Sequence, residues 1–325
     1  IYIDGKQSFM SVETLMLWLE SMPASDIEKI EIFDTPPAKY DAAGSAGIID
    51  VVLKKGAALG FNGRLGANLG HGEFHKVSPS LSLNYRNRKF NAFGSAWFNN
   101  SKTFDRYDSE YSLPAVTDST HFNTSSKSLY ESRGFGGRGG FDWFLGQKST
   151  IGILVSGYSG GFDATPEYNE TNISGESPYD YIKTEYGSDV YWKGQSINLN
   201  FEHAFNDSTK LILDGDIVSR GFGFDQDLVN NRFNEGKLIA PSIIKTSTEG
   251  KINIGVLKVD YEKILKRNLS LDMGIKATLV STTNKNEQLA GVSSQELASS
   301  NRNDFIYDEN VYAYYLSSIK KWKNW

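Results

Sequence analysis

The chain has 325 residues, no cysteine and a formal net charge of -5, and it is 39 % hydrophobic, 22 % charged and 13 % aromatic. Unbroken apolar stretches such as Leu15 to Leu19 fall far short of the roughly 18 residues a membrane helix needs, so no transmembrane helix is expected. No basic cluster is large enough to grip a phosphate backbone, which argues against nucleic acid as a partner, and the lack of cysteine removes disulfides, thiolate metal sites and cysteine nucleophiles.

The opening Ile1-Tyr2-Ile3-Asp4-Gly5-Lys6 reads as a strand already under way, without an initiator methionine or a signal peptide, and a fragment is expected. Ser11 caps a predicted helix that runs to about Ser21, with Leu15, Leu19 and Met22 on one face, and Pro23 ends it. Ile27, Ile30 and Ile32 lead into Pro36-Pro37. After a loop holding Gly44 and Gly47, Ile48 to Leu53 forms a second strand, stopped by Lys54-Lys55-Gly56. Residues 1–56 are therefore expected to form a small α+β unit.

From about Phe61 onward the period is two. Leu81, Leu83 and Tyr85 interleave with Ser80, Ser82 and Asn84; Ile197, Leu199 and Phe201 with Asn198, Asn200 and Glu202; Leu271, Met273 and Ile275 with Asp272 and Lys276. Each strand has one apolar and one polar face, with Asn84, Asn198, Glu202 and Asp272 predicted inside. Pro79 and the parity slip between Val256 and Leu257 interrupt the pattern, and both predict bulges near the loop side.

The connections alternate in length. Short polar turns fall near Asn87-Arg88, Gly146-Gln147, Asp207-Ser208, Arg267-Asn268 and Lys323-Asn324, recurring about every 60 residues, whereas 71–74, 108–121, 164–190, 223–246 and 284–305 are read as links on the opposite side. About ten strands joined in this one-sided way are the pattern of an outer-membrane β-barrel, with tight periplasmic turns and long extracellular loops. A propeller would show about four shorter strands in every 40 to 50 residues. Tyr85, Phe90, Trp143, Phe144, Phe205, Tyr261 and Trp322 flank the short turns, where a girdle at the membrane interface belongs. A soluble sandwich with aromatic core residues fits less well, because it rarely keeps its long loops on one side.

Ile27-Glu28-Lys29-Ile30-Glu31-Ile32, Thr35-Pro36-Pro37-Ala38-Lys39-Tyr40-Asp41 and the run from Gly44-Ser45-Ala46-Gly47 through Ile48-Ile49-Asp50-Val51-Val52-Leu53 to Lys54-Lys55 follow one another in fixed order. This segment resembles the C-terminal half of the plug domain of TonB-dependent outer-membrane receptors; Asp41 departs from the Gly that many members carry after the Tyr. The resemblance implies a plug segment at 1–56 and, at 57–325, the N-terminal part of a transmembrane barrel, about ten strands of roughly 22. It further implies energy-coupled import of a scarce nutrient (siderophore, glycan or peptide). The implied partners are a periplasmic TonB-type protein, outer-membrane lipid and a surface lipoprotein. It places Lys39 and Tyr40 at the plug apex, where ligand is met. A barrel for adhesion, surface display or assembly without active import is the alternative.

Other motifs carry less. Gly134-x-Gly136-x-x-Gly139 matches a dinucleotide fingerprint, but alternation rather than a helix follows it, so these glycines are expected to let a strand bend or to leave space for the plug. His71, His75, His121 and His203 lack metal-site spacing, Asp225 and Asp227 are too few for calcium, and no nucleophile elbow is present. Neither enzyme activity, a metal nor a cofactor is expected. The segment 164–190 is acidic, with Lys183 as its one base, and its Tyr168, Tyr179, Tyr181 and Tyr186 are candidates for stacking on a ligand. Arg64, Asn68, Arg138 and Asp142 have inward parity and are candidates for holding the plug.

Overall fold

The computed structural model describes residues 2–3, 6–7, 27–34, 47–53, 59–114, 119–175, 177, 179–266, 269–293 and 296–320. The predicted helix at 11–21, Lys39, Tyr40, the turns at Arg267-Asn268 and Lys323-Asn324, and Trp322 lie outside the described residues.

Near the N-terminus, β1 (Tyr2–Ile3), β2 (Lys6–Gln7), β3 (Ile27–Phe33) and β4 (Ile48–Leu53) form a four-stranded sheet in the order β2-β1-β4-β3. β4 runs parallel to β1 and antiparallel to β3. Among the described residues of this sheet, Tyr2, Ile48, Asp50 and Val51 are buried.

The rest is one open antiparallel sheet of ten strands, a partial barrel in which each strand pairs with its sequence neighbours. It comprises β5 (Gly60–His71), β6 (His75–Arg86), β7 (Phe90–Leu113), β8 (Thr120–Leu145), β9 (Ser149–Ser174), β10 (Tyr181–Asn206), β11 (Thr209–Asn234), β12 (Lys237–Lys266), β13 (Leu269–Gly291) and β14 (Ala298–Lys320). The short turns form as predicted where they are described. Asn87 Oδ1 accepts from the Lys89 and Phe90 amides at 2.7 and 2.8 Å, and Asn206 Oδ1 accepts from the Ser208 amide at 3.0 Å.

The expected long loops are different. The described strands continue through most of them, leaving connections of 114–119, 175–180 and 292–297, and β11 meets β12 through Glu235 and Gly236 alone. Both of those residues have positive φ, 49° and 71°, the backbone that a tight two-residue hairpin requires. Alternation fades in these stretches because water lies on both sides, so the outer face needs no apolar residues although the ladder persists. A strand of 26 residues such as β8 is about 85 Å long. Crossing a bilayer takes only about 9–11 residues. The sheet therefore stands far above the membrane.

Ladder register separates the two faces. One lateral row reads Phe141, Ile153, Leu199, Gly215, Leu257 and Ala277; the adjacent row reads Asp142, Gly152, Asn200, Asp214, Lys258 and Lys276. The apolar parity is turned outward, with Ile217 70 % exposed, and forms the lipid-facing band. Apart from Gly223, which Tyr191 covers, every buried residue of this sheet among those described has the opposite, inward parity. The band crosses the ladders obliquely. The row that starts at Leu81 ends on Asp308, while exposed Tyr312, Tyr314 and Leu316 carry the band in β14, the tilt that a barrel wall requires.

Three predicted details are corrected. Pro79 is not at a bulge: it stands opposite Ala67, and the β6–β7 register is the same on both sides of it, with the ladder merely interrupted at Ser78 and Pro79, because proline has no N–H to give. Val256 and Leu257 also sit in unbroken register, one inward and one outward. Phe144 has inward parity, with the Arg86 guanidinium 4.9 Å from its ring centre, and so lies outside the girdle that Tyr85, Phe90 and Trp143 form.

The glycines of β8 are not left open for a plug. A Cβ on Gly136 would lie 2.8 Å from the indole of Trp97, its direct cross-strand partner. Phe93 covers Gly140, Tyr158 covers Gly194, Phe222 covers Gly250 and Tyr315 covers Gly274 in the same way, each across one ladder step. Large rings can lie flat on the sheet only where the opposite residue has no side chain.

In the full-length protein, Leu199→Arg on the outer face should lower unfolding stability by about 2 to 4 kcal/mol near the bilayer midplane, and inward Thr278→Arg by less, read from denaturant midpoints in lipid. Gly136→Val should cost about 1 to 3 kcal/mol by overpacking, and Trp97→Leu should relieve most of it in a double-mutant cycle.

Candidate functional site

The inner face has two levels. Towards the short turns it is a belt of amides and charges. Asn84 Nδ2 donates to Asn91 Oδ1 at 2.8 Å, and Asn91 Nδ2 to Asp142 Oδ2 at 3.2 Å. Farther along, Asn200 Nδ2 donates to Asn198 Oδ1 at 3.0 Å. Asn198, only 3 % exposed, donates to Asp214 and Asp216 at 2.6 and 2.8 Å. Lys258 then pairs with Asp260 at 2.9 Å, and Asp260 also accepts from the Tyr315 phenol. Charge-assisted bonds of this kind hold side chains in place and present charge to whatever occupies the lumen.

Above the belt the inner face changes character. One row reads Asn99, Gly134, Gly160, Trp192, Phe222 and Gly250 and continues to Asn284 and Phe305. Trp192 is 8 % exposed and lies 6.2 Å from Phe162, which lies 6.1 Å from Tyr130. Higher up, the Tyr186 phenol is hydrogen-bonded to Ser128 Oγ. Burial pushes the Tyr130 phenol above its ordinary value.

The outer face at this height is ionic. Lys127 pairs with Glu167 at 2.7 Å and Glu73 at 3.1 Å, and these carboxylates, Glu167 foremost, hold its ammonium above the usual lysine value. Lys102 pairs with Glu131, and Lys245 with Asp227, both at 2.7 Å. Phe74, at the tip of the short β5–β6 hairpin, lies under Lys102 and beside Phe104.

The predicted site residues separate accordingly. Arg64 and Asn68 of β5 and Arg138 and Asp142 of β8 all have inward parity. The four tyrosines do not converge. Tyr168 and Tyr181 take the outer parity, Tyr186 the inner, and Tyr179 lies in the connection at 175–180 with Arg232 5.7 Å from its ring centre. Tyr181 packs on Phe233 at 5.4 Å. Burial, then its hydrogen bond to Glu170, pushes its phenol up to about 12. Trp97, Trp192 and Asn284 are not among the sequence candidates, although inward parity finds them, whereas Asn198 takes the inward place its alternation predicts.

Because the Tyr181 phenol is raised from 10.0 to about 12, its neutral form is the one the fold favours. The stability it contributes should be complete below pH 10 and lost as pH climbs to about 12. Phenolate absorbance at 295 nm, compared between wild type and Tyr181→Phe, should show the late-titrating group disappear.

Residues 165–325 match the Outer membrane protein beta-barrel family. No curated protein sequence matches the chain. Among solved structures, the ferric yersiniabactin uptake receptor FyuA from Yersinia pestis is similar at 8 % identity and a TM-score of 0.37, over 90 % of this chain and 49 % of that one. The chain thus spans about half the length of that receptor. The CymD monoaromatic hydrocarbon channel is similar at 12 % identity and a TM-score of 0.24, over 80 % of this chain and 84 % of that one. With its lipid-facing band, its polar inner face and the family match across its second half, this chain is an outer-membrane β-barrel protein of the bacterial outer membrane.

Proposed function

We propose that the chain is the plug-and-wall portion of a TonB-dependent receptor that imports a scarce nutrient. The observation that carries this reading is the belt around Asn91, Asp142, Asn198, Asp214 and Asp216, a charged inner surface that calls for a polar occupant of the lumen. The separate four-stranded sheet, whose β3 and β4 hold the plug-like segment, precedes that wall directly in sequence. Residues 1–56 act as the stopper, Arg64, Asn68, Arg138 and Asp142 help to grip it, and Lys39 and Tyr40 meet ligand at its apex. A periplasmic TonB-type protein supplies the pull, and a surface lipoprotein completes the ligand chamber. The height of the wall above the membrane favours the second reading, a barrel for adhesion, display or assembly without import.

Deleting residues 1–56 from the full-length protein should open large conductance steps in planar bilayers, with the intact protein silent. If the intact protein conducts like a general porin, or if no nutrient's uptake depends on the TonB system, the second reading replaces the first.

A further inference from the structure

We propose that the upper inner wall is a binding surface for an uncharged, hydroxyl-rich ligand, an oligosaccharide in chemical class; this rests on the reading of the barrel as a nutrient receptor. Above the Trp192 row, the described residues of β8, β9, β10, β13 and β14 turn no charged side chain inward. The inward charges of β6, β7, β11 and β12 there are Lys76, Asp105, Arg232 and the tip residue Lys237. In their place stand hydroxyls, amides and rings: on β8 alone Ser132, Tyr130, Ser128, Ser126, Thr124 and Phe122. The same strands are rich in charge on the outer side, where Lys102, Glu131, Asp163, Asp189 and Asp225 share one row. The scarcity of inward charge on these strands is thus a property of the face and not of the composition.

A charged ligand drawn against β8, β9 and β10 would leave its hydration without meeting an opposite charge on those strands. A neutral polyol meets what it needs, hydroxyl and amide partners together with aromatic faces for its C–H surfaces. Two of the three buried polar atoms left without a partner among the described residues lie in this wall and locate the contact, the third being Asn84 Oδ1 in the belt. Among the described residues Trp192 Nε1 and Asn284 Oδ1 are buried polar atoms without a partner, one a donor and the other an acceptor. They lie in the same row, with Phe222 lying over Gly250 between them. Three strand steps separate them, about 14 Å at roughly 4.8 Å each, a span that suits a short oligosaccharide better than a single sugar. A sugar hydroxyl both donates and accepts, so one chain of them can satisfy both ends.

The test is binding of the full-length protein, in micelles, to an array of neutral gluco-, galacto-, manno- and xylo-oligosaccharides beside uronic-acid and sulfated glycans and charged peptides. Neutral glycans should bind. Trp192→Phe, which keeps a ring and loses the N–H, and Asn284→Ala should each weaken that binding about tenfold with heat-modified mobility unchanged. Binding confined to charged ligands, no binding to any neutral glycan, or neutral-glycan affinity indifferent to both substitutions overturns the proposal. Neutral-glycan binding combined with uptake that ignores the TonB system overturns import and leaves this site standing. TonB-dependent uptake of a charged nutrient alone does the reverse.

Discussion

In hydrocarbon no water is available to pair a backbone amide, so every N–H and C=O in the membrane must find its partner within the sheet. That constraint accounts for the continuous register of β8 to β13 through the lipid-facing band, for the tight turns held by Asn87 and Asn206, and for register shifts that fall outside the band, at Ala204/Asn206 beside a short turn and at Lys127/Ser128, Lys183/Ser188 and Arg232/Phe233 high on the wall. Ser78 and Pro79 drop out of the β6–β7 ladder, and the register survives the gap. A residue without an N–H is tolerated where neighbouring pairs on both sides hold the strands in step.

Once one parity is committed to lipid, all polar chemistry falls to the other. The inner face uses it twice, as a charged belt near the turns and as an aromatic, hydroxyl-rich wall above. The aromatic rings owe their flat placement to glycines directly opposite, Gly136 beneath Trp97 and Gly250 beneath Phe222. A ring lying along the sheet keeps the lumen wide and still offers a hydrophobic surface. A ring standing upright would fill it.

Much of this was legible in the sequence. Leu199 beside Asn200 and Ile275 beside Lys276 announce a two-faced strand, and Asn87 and Gly146 mark its turns. The upper strands read as loops in the sequence because residues such as Glu170, Glu185 and Asp227 break the apolar parity, yet each remains in the ladder. Hydrophobic alternation reports a bilayer, not a β-strand, and falls silent where the strand leaves the lipid. The candidate tyrosines are neighbours in sequence and not in space. A strand places residues five apart, as Tyr181 and Tyr186 are, on opposite faces.

The short β5–β6 hairpin beside the tall β7 leaves a step in the rim. Among the described residues β7 beyond Ser101 has a ladder partner only on its β8 side. At a crowded cell surface such an open strand border could recruit neighbouring chains into aggregates. The run Asp105, Arg106, Asp108 and Glu110 sets charge at close intervals along that border, and charged edges resist edge-to-edge association. Solubility of the exposed wall is therefore secured in its side chains rather than by covering its backbone.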